Sequence, residues 1–140
     1  MDRVYYQNEV LFISRLLLAT LFIVAGFGKI FSITEFAAMM AKHDLPFASL
    51  SPYPVIVIEL LGGLVFLCGY QTRLLAVLFA IFTIFSALVA HQFWGLTDPA
   101  AKLANQINFF KNLSIAGGFL AVYVTGGGRF SVDGWRRSQS

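Results

Sequence analysis

Charge is scarce in this chain, and so are cysteine and histidine. Only 12% of its 140 residues are charged, whereas a soluble domain carries roughly 25% to coat its surface. Half that supply cannot face water around a globule of this size. A soluble monomer is excluded, and so is a disordered chain, which would need far less apolar content. The single cysteine, Cys68, excludes an intramolecular disulfide, a Cys-x-x-Cys redox pair and a thiolate zinc site. Paired haem ligation would need both histidines, His43 and His91, and His43 falls on a connecting segment. No glycine-rich loop follows a strand pattern, and no serine occupies a nucleophile elbow. The basic residues stand singly among apolar runs, so the net charge of +3 builds no patch for nucleic acid.

What the chain does have is apolar length. Hydrophobic residues make up 58%, and mean hydropathy is +0.75. Four apolar runs stand out, and they predict spans at about 10–29, 54–70, 74–91 and 107–125 within a single transmembrane domain, 1–140. Crossing a bilayer takes about 20 residues; the second run reaches that range only with Pro54 and Tyr70 at its flanks. None of the runs alternates with period two, which argues against a transmembrane barrel. Backbone polar groups in lipid must be satisfied within the segment, so the runs are helices. The first is followed by Lys29-Ile30-Phe31 and not by a small-residue cleavage site, so it reads as a retained helix.

The connections differ in kind. Residues 70–73 form a tight turn after Gly69, which makes the second and third spans antiparallel neighbours. Within 31–53, Ser32 and Glu35 have the capping-box spacing. Ile33, Phe36, Ala37 and Met40 then share one face, as in a short helix lying in the membrane interface. Pro46, Pro52 and Pro54 end it. The 92–106 connection carries Trp94, which suits the aromatic belt. Glycines 126–128 stop the last helix. The predicted fold is therefore all-α: a four-helix transmembrane bundle with an interfacial helix between spans one and two.

Basic residues outside the spans set the orientation. Arg3, Arg73, Arg129, Arg136 and Arg137 fall on one side, and Lys29, Lys42 and Lys102 on the other, so the arginine side and both termini are predicted cytoplasmic. The chain is thus predicted to be a multi-pass membrane protein. Arg15 then lies near the cytoplasmic end of span one. Lys29, Glu59, His91, Lys111 and Asn112 come from four helices to the outer half of the bundle. Charges within a membrane cost roughly 2.5–3.5 kcal/mol each on insertion scales, so these residues need partners or a route to water. The plain readings are an ion pair between Glu59 and Lys111, Lys29 snorkelling to the headgroups, an interfacial His91, Arg15 snorkelling to the cytoplasmic side, and Cys68 as a packing residue. The functional reading takes Glu59, His91, Lys111, Asn112 and Lys29 as a ligand-binding set for a quinone or a small anion. Arg15 and Arg73 are assigned to structure or orientation. No metal site is expected.

With these positions in place, the sequence resembles the DoxX family of small four-helix bacterial membrane proteins. The resemblance rests on Arg15 with Gly26, Gly28 and Lys29; Glu59-Leu60-Leu61-Gly62-Gly63 with Gly69 and Thr72-Arg73; His91; and Phe110-Lys111-Asn112-Leu113 followed by Gly117-Gly118. The closing Gly126, Gly128, Ser131 and Asp133 also fit. It implies a bacterial inner-membrane protein. Relatives in the wider family are linked to quinone-dependent sulfur oxidation and membrane redox complexes. With one cysteine and no soluble domain, a thiol reaction catalysed by this chain alone is not expected. Three functions follow as expectations: a quinone- or small-anion-binding component of a membrane redox system, a non-catalytic subunit docking a membrane or peripheral redox partner, or a small transporter, which would need oligomers. The bilayer is the one partner common to all three; a quinone is the cofactor the first would take.

Overall fold

The computed structural model describes residues 6–139; Arg3, counted above for orientation, lies outside them. Among the described residues all regular structure is helical. The helices are α1 (Gln7–Ile30), α2 (Ile33–Lys42), α3 (Pro52–Cys68), α4 (Thr72–Ala90), α5 (Pro99–Thr125) and α6 (Val132–Arg137). Three of them, α1, α4 and α5, are long and apolar enough to cross a membrane. The fourth apolar helix, α3, is shorter, about 25 Å at 1.5 Å per residue. It is interrupted by one π turn, Ile58–Gly62.

Outward-facing residues are apolar along the long helices: Leu17, Val24, Ile81 and Val124 are all exposed. The interior holds one phenylalanine from each of four helices, Phe22, Phe66, Phe79 and Phe119. Phe22 and Phe79 lie 4.5 Å apart between ring centroids, and Phe66 and Phe119 lie 5.2 Å apart. This aromatic layer separates the two ends of the bundle. α3 packs chiefly on α1, and α4 chiefly on α5. The α1–α3 approach is close because of two glycines. A Cβ on Gly26 would stand 2.8 Å from Leu60 N, and one on Gly63 would stand 2.9 Å from Ile23 Cγ1.

Several expected details change. The last long helix begins at Pro99, eight residues before the expected start, because Asp98 caps it by accepting from Ala101 N at 2.8 Å. An aspartate cap followed by proline is a strong helix start. It was hidden by the polar composition of the first turns, which include Lys102, Asn105 and Gln106. Helix α2 is present, but its capping box is not made: Ser32 Oγ donates back to Gly28 O instead. Cys68 is exposed and fills no core position.

Arg15 does not snorkel. It is 1% exposed, and its guanidinium donates to Leu67 O at 3.2 Å and to Gly127 O and Phe130 O. Those carbonyls belong to the end of α3 and to the loop after α5. Arg15 thus ties three parts of the chain together at the end that carries Arg73, Arg129, Arg136 and Arg137. Gly69, at φ 73°, leaves the room: a Cβ there would stand 2.8 Å from Arg15 Nη1.

The C-terminal segment locks onto the same end. Asp133 accepts from Gln71 N (2.9 Å), Thr72 N (2.7 Å) and Thr72 Oγ1 (2.7 Å), and so occupies the N-terminus of α4. Ser131 Oγ accepts from Gly134 N and caps α6. Burial works to raise the Asp133 carboxyl, but hydrogen bonds from Thr72 and Gln71, with the Arg137 charge, outweigh it and hold the group below its ordinary value. A carboxylate lowered by folding adds stability above its unfolded pKa of about 3.9, and that stability is lost as pH falls through the lower folded value. Hydrogen exchange corrected for intrinsic rates should show Thr72 N–H protection constant from pH 7 to pH 5 and declining only in more acid solution. In Asp133→Asn the protection should be reduced at every pH. Protection that already declines between pH 7 and pH 5 would contradict this assignment.

Candidate binding site

The opposite end of the bundle holds a cavity of about 370 Å³ between α1, α2, α3, α4 and α5. Its walls are mostly apolar, with Phe22, Phe82 and Phe85 from the bundle. Phe36, Met39 and Met40 of α2 close one side. The amphipathic pattern that placed α2 in the interface thus also covers this cavity with its apolar face.

Four of the five residues proposed for a binding set line it: Lys29, Glu59, His91 and Asn112. Lys111 does not. It is exposed on α5, so the expected Glu59–Lys111 pair is replaced by a different one. Lys29 Nζ donates to both carboxylate oxygens of Glu59, at 3.0 and 2.7 Å. The two side chains are 20% and 8% exposed, so Lys29 turns inward and does not snorkel. Two local features make the pair. The Gly26 contact brings α1 against the π turn, and Lys29 follows one helical turn later. The π turn itself carries Glu59, and insertions of this kind re-aim side chains and recur at functional sites. Lys29 also lies 5.2 Å from the centroid of the Phe36 ring, which links the pair to α2.

His91 follows α4 directly, with its backbone N–H on Ala87 O. Its Nδ1 is buried and has no hydrogen-bond partner among the described residues, while the Asn105 side chain of α5 lies beside the ring. A buried polar atom without a partner costs roughly 1–3 kcal/mol. That cost falls away if something in the cavity completes the bond. Thr83 Oγ1, also in the wall, is already used, since it donates to Phe79 O at 2.6 Å. Arg15 and Arg73 are at the far end. Arg15 lies about 20 Å from Lys29 along α1, at 1.5 Å per residue. Among the described residues no group of three or more His, Cys, Asp or Glu could hold a metal.

The sequence profile of the DoxX family matches residues 10–92. The chain belongs to the DoxX family. Among curated proteins, this DoxX chain is 36% identical over 124 residues to the inner membrane protein YphA of Escherichia coli, covering 89% of this chain and 88% of the relative. It is 37% identical over 121 residues to the inner membrane protein YqjF of the same organism, covering 86% and 87%. No solved structure is significantly similar. The DoxX match includes Lys29, Glu59 and His91 and stops before Asn112 and Asp133.

The residue that sequence reasoning missed altogether was Asp133 as the anchor of the tail. Asp133 entered only as part of the resemblance, with Gly126, Gly128 and Ser131, and that spacing says nothing of its contact with Thr72.

Proposed function

We propose that this DoxX protein is a four-span, multi-pass inner-membrane protein, with both termini cytoplasmic, whose cavity binds a quinone-type molecule as a component of a membrane redox system. The observation that carries the reading is the unpartnered Nδ1 of His91 at the wall of a largely apolar cavity. Ligand sites of this kind run roughly 300–1,000 Å³ with few polar groups, and 370 Å³ suits a single ring headgroup. His91 would hydrogen-bond a ring carbonyl, Asn112 adds an amide, and the phenylalanines and methionines hold the ring. A bound quinone would supply two-electron redox chemistry. The small-anion alternative is disfavoured by charge: the Lys29 ammonium is already balanced by Glu59, and Lys111 is exposed and does not line the cavity. Four spans follow if α3 crosses a locally thinned bilayer while packed on α1. The orientation follows from arginines gathered at one end and Lys29, Lys42 and Lys102 at the other.

Thermal unfolding in mild detergent tests this. Short-chain ubiquinone or menaquinone analogues should stabilise the protein by about 2.7 kcal/mol at a hundredfold excess over the dissociation constant. Thiosulfate and sulfite should not. In His91→Ala the apparent affinity should drop roughly tenfold, the worth of one hydrogen bond, while Arg129→Gln should keep the full shift. Stabilisation by the anions alone would overturn the quinone reading. No shift with any of these compounds would favour a partner-docking subunit.

A further inference from the structure

A second cavity, of about 290 Å³, lies at the arginine end and is lined by Arg73, Arg136 and Arg137 together with Gly126, Gly127 and Asp133. We infer that this cavity is a binding site for a phosphate oxyanion, supplied by the headgroup of an anionic phospholipid or by soluble phosphate. The inference is independent of the ligand proposed for the other end.

Charge is the first argument. Among the described residues, Arg73 and Arg136 already outnumber the one carboxylate that borders the cavity, and Arg137 lies beside them. That carboxylate, Asp133, is already used by Gln71 N, Thr72 N and Thr72 Oγ1. The cavity is left with a net positive balance, and guanidinium forks match phosphate oxygens with two parallel hydrogen bonds.

Construction is the second. Arg73 passes close to Gly126, whose backbone is at φ 77°; a Cβ there would stand 3.3 Å from Arg73 Nε. Only glycine combines that backbone with that side-chain position. Arg136 stacks 5.3 Å from the centroid of the Tyr70 ring, and Arg137 Nε donates to Asp133 O at 3.2 Å. The three arginines are exposed, and each makes a separate contact around one space.

Depth is the third. Thr72 is the first residue of a membrane-crossing helix and lines the cavity. The end of such a helix lies in the headgroup layer, where lipid phosphates are. Exposed Leu74, two residues further along the same helix, offers an apolar surface for an acyl chain, and exposed Trp135 suits the interface. Basic pockets at this depth take anionic headgroups.

The test is thermal unfolding of the full chain in phosphatidylcholine nanodiscs, with two additions at constant ionic strength: phosphatidylglycerol in the lipid, or inorganic phosphate in the buffer. Stabilisation by phosphatidylglycerol alone supports a lipid site. Stabilisation by inorganic phosphate as well supports a site open to soluble phosphate. In Arg73→Gln/Arg136→Gln the apparent affinity should drop about 25-fold, at roughly fivefold per arginine, with the melting temperature in pure phosphatidylcholine little changed. Arg129→Gln, at the same end but outside the cavity, should keep the affinity within about twofold. No stabilisation by either addition overturns the inference. So does an Arg129→Gln loss as large as that of the double variant, which would mean diffuse surface attraction.

Discussion

Replacing Arg15 with alanine is expected to remove most of the folded protein. Its guanidinium serves Leu67 O, Gly127 O and Phe130 O in a site that is 1% exposed. A buried acceptor left without its donor costs roughly 1–3 kcal/mol, so three together cost about 3–9 kcal/mol. Total stabilities of about 5–15 kcal/mol leave little after that loss. The damage is also topological, since this one side chain hydrogen-bonds α1 to both the end of α3 and the loop after α5. Arg15→Lys keeps the charge but replaces a planar fork with a single ammonium, and should recover only part of the stability. Size-exclusion profiles in mild detergent read the result directly. Monodisperse Arg15→Ala protein melting within a few degrees of the parent would show that the carbonyl cage is dispensable.

The second large effect belongs to Lys29 and Glu59. Removing either partner leaves a charge in a site where the side chains are 20% and 8% exposed. Breaking a buried pair in this way costs roughly 3–5 kcal/mol, whereas replacing both partners with apolar residues is often neutral. Lys29→Met and Glu59→Met should each lower the melting temperature strongly, and the double variant should regain most of the loss. Lys111→Met, at an exposed position on α5, should change stability by less than about 0.5 kcal/mol. A double variant no better than its parents, or a Lys111 variant as damaging as Lys29, would return the pairing to the one the sequence suggested.

That exchange of partners shows where the sequence could be read and where it could not. Depth was legible: residue counting from helix ends placed Lys29, Glu59, His91, Lys111 and Asn112 at one level, and four of them line one cavity. The direction in which each side chain points around its helix was not. Glu59 is aimed by a π turn that no composition or periodicity announces. Lys29 could have been found. Arg15, Phe22 and Lys29 recur every seven residues on one face of α1, and the first two are buried. A lysine continuing that face should have been read as inward. The helical character of the long runs followed from apolar length, and the start of α5 was missed because its first turns are polar. The tail was illegible for another reason. Asp133 acts across 61 residues on Thr72, and no local pattern encodes such a contact.

The claim that the lysine-end cavity is a ligand site for a ring amphiphile is tested most directly by photolabelling. A short-chain quinone bearing a photoreactive group is bound to the protein in nanodiscs, irradiated, and the adducts are mapped by peptide mass spectrometry. Adducts are expected on Phe36, Met39 or Met40 of α2 and on the segment ending at His91, suppressed by excess unlabelled analogue and weakened in His91→Ala. Adducts spread over the exposed Leu17, Val24, Ile81 and Val124, and insensitive to competitor, would contradict it.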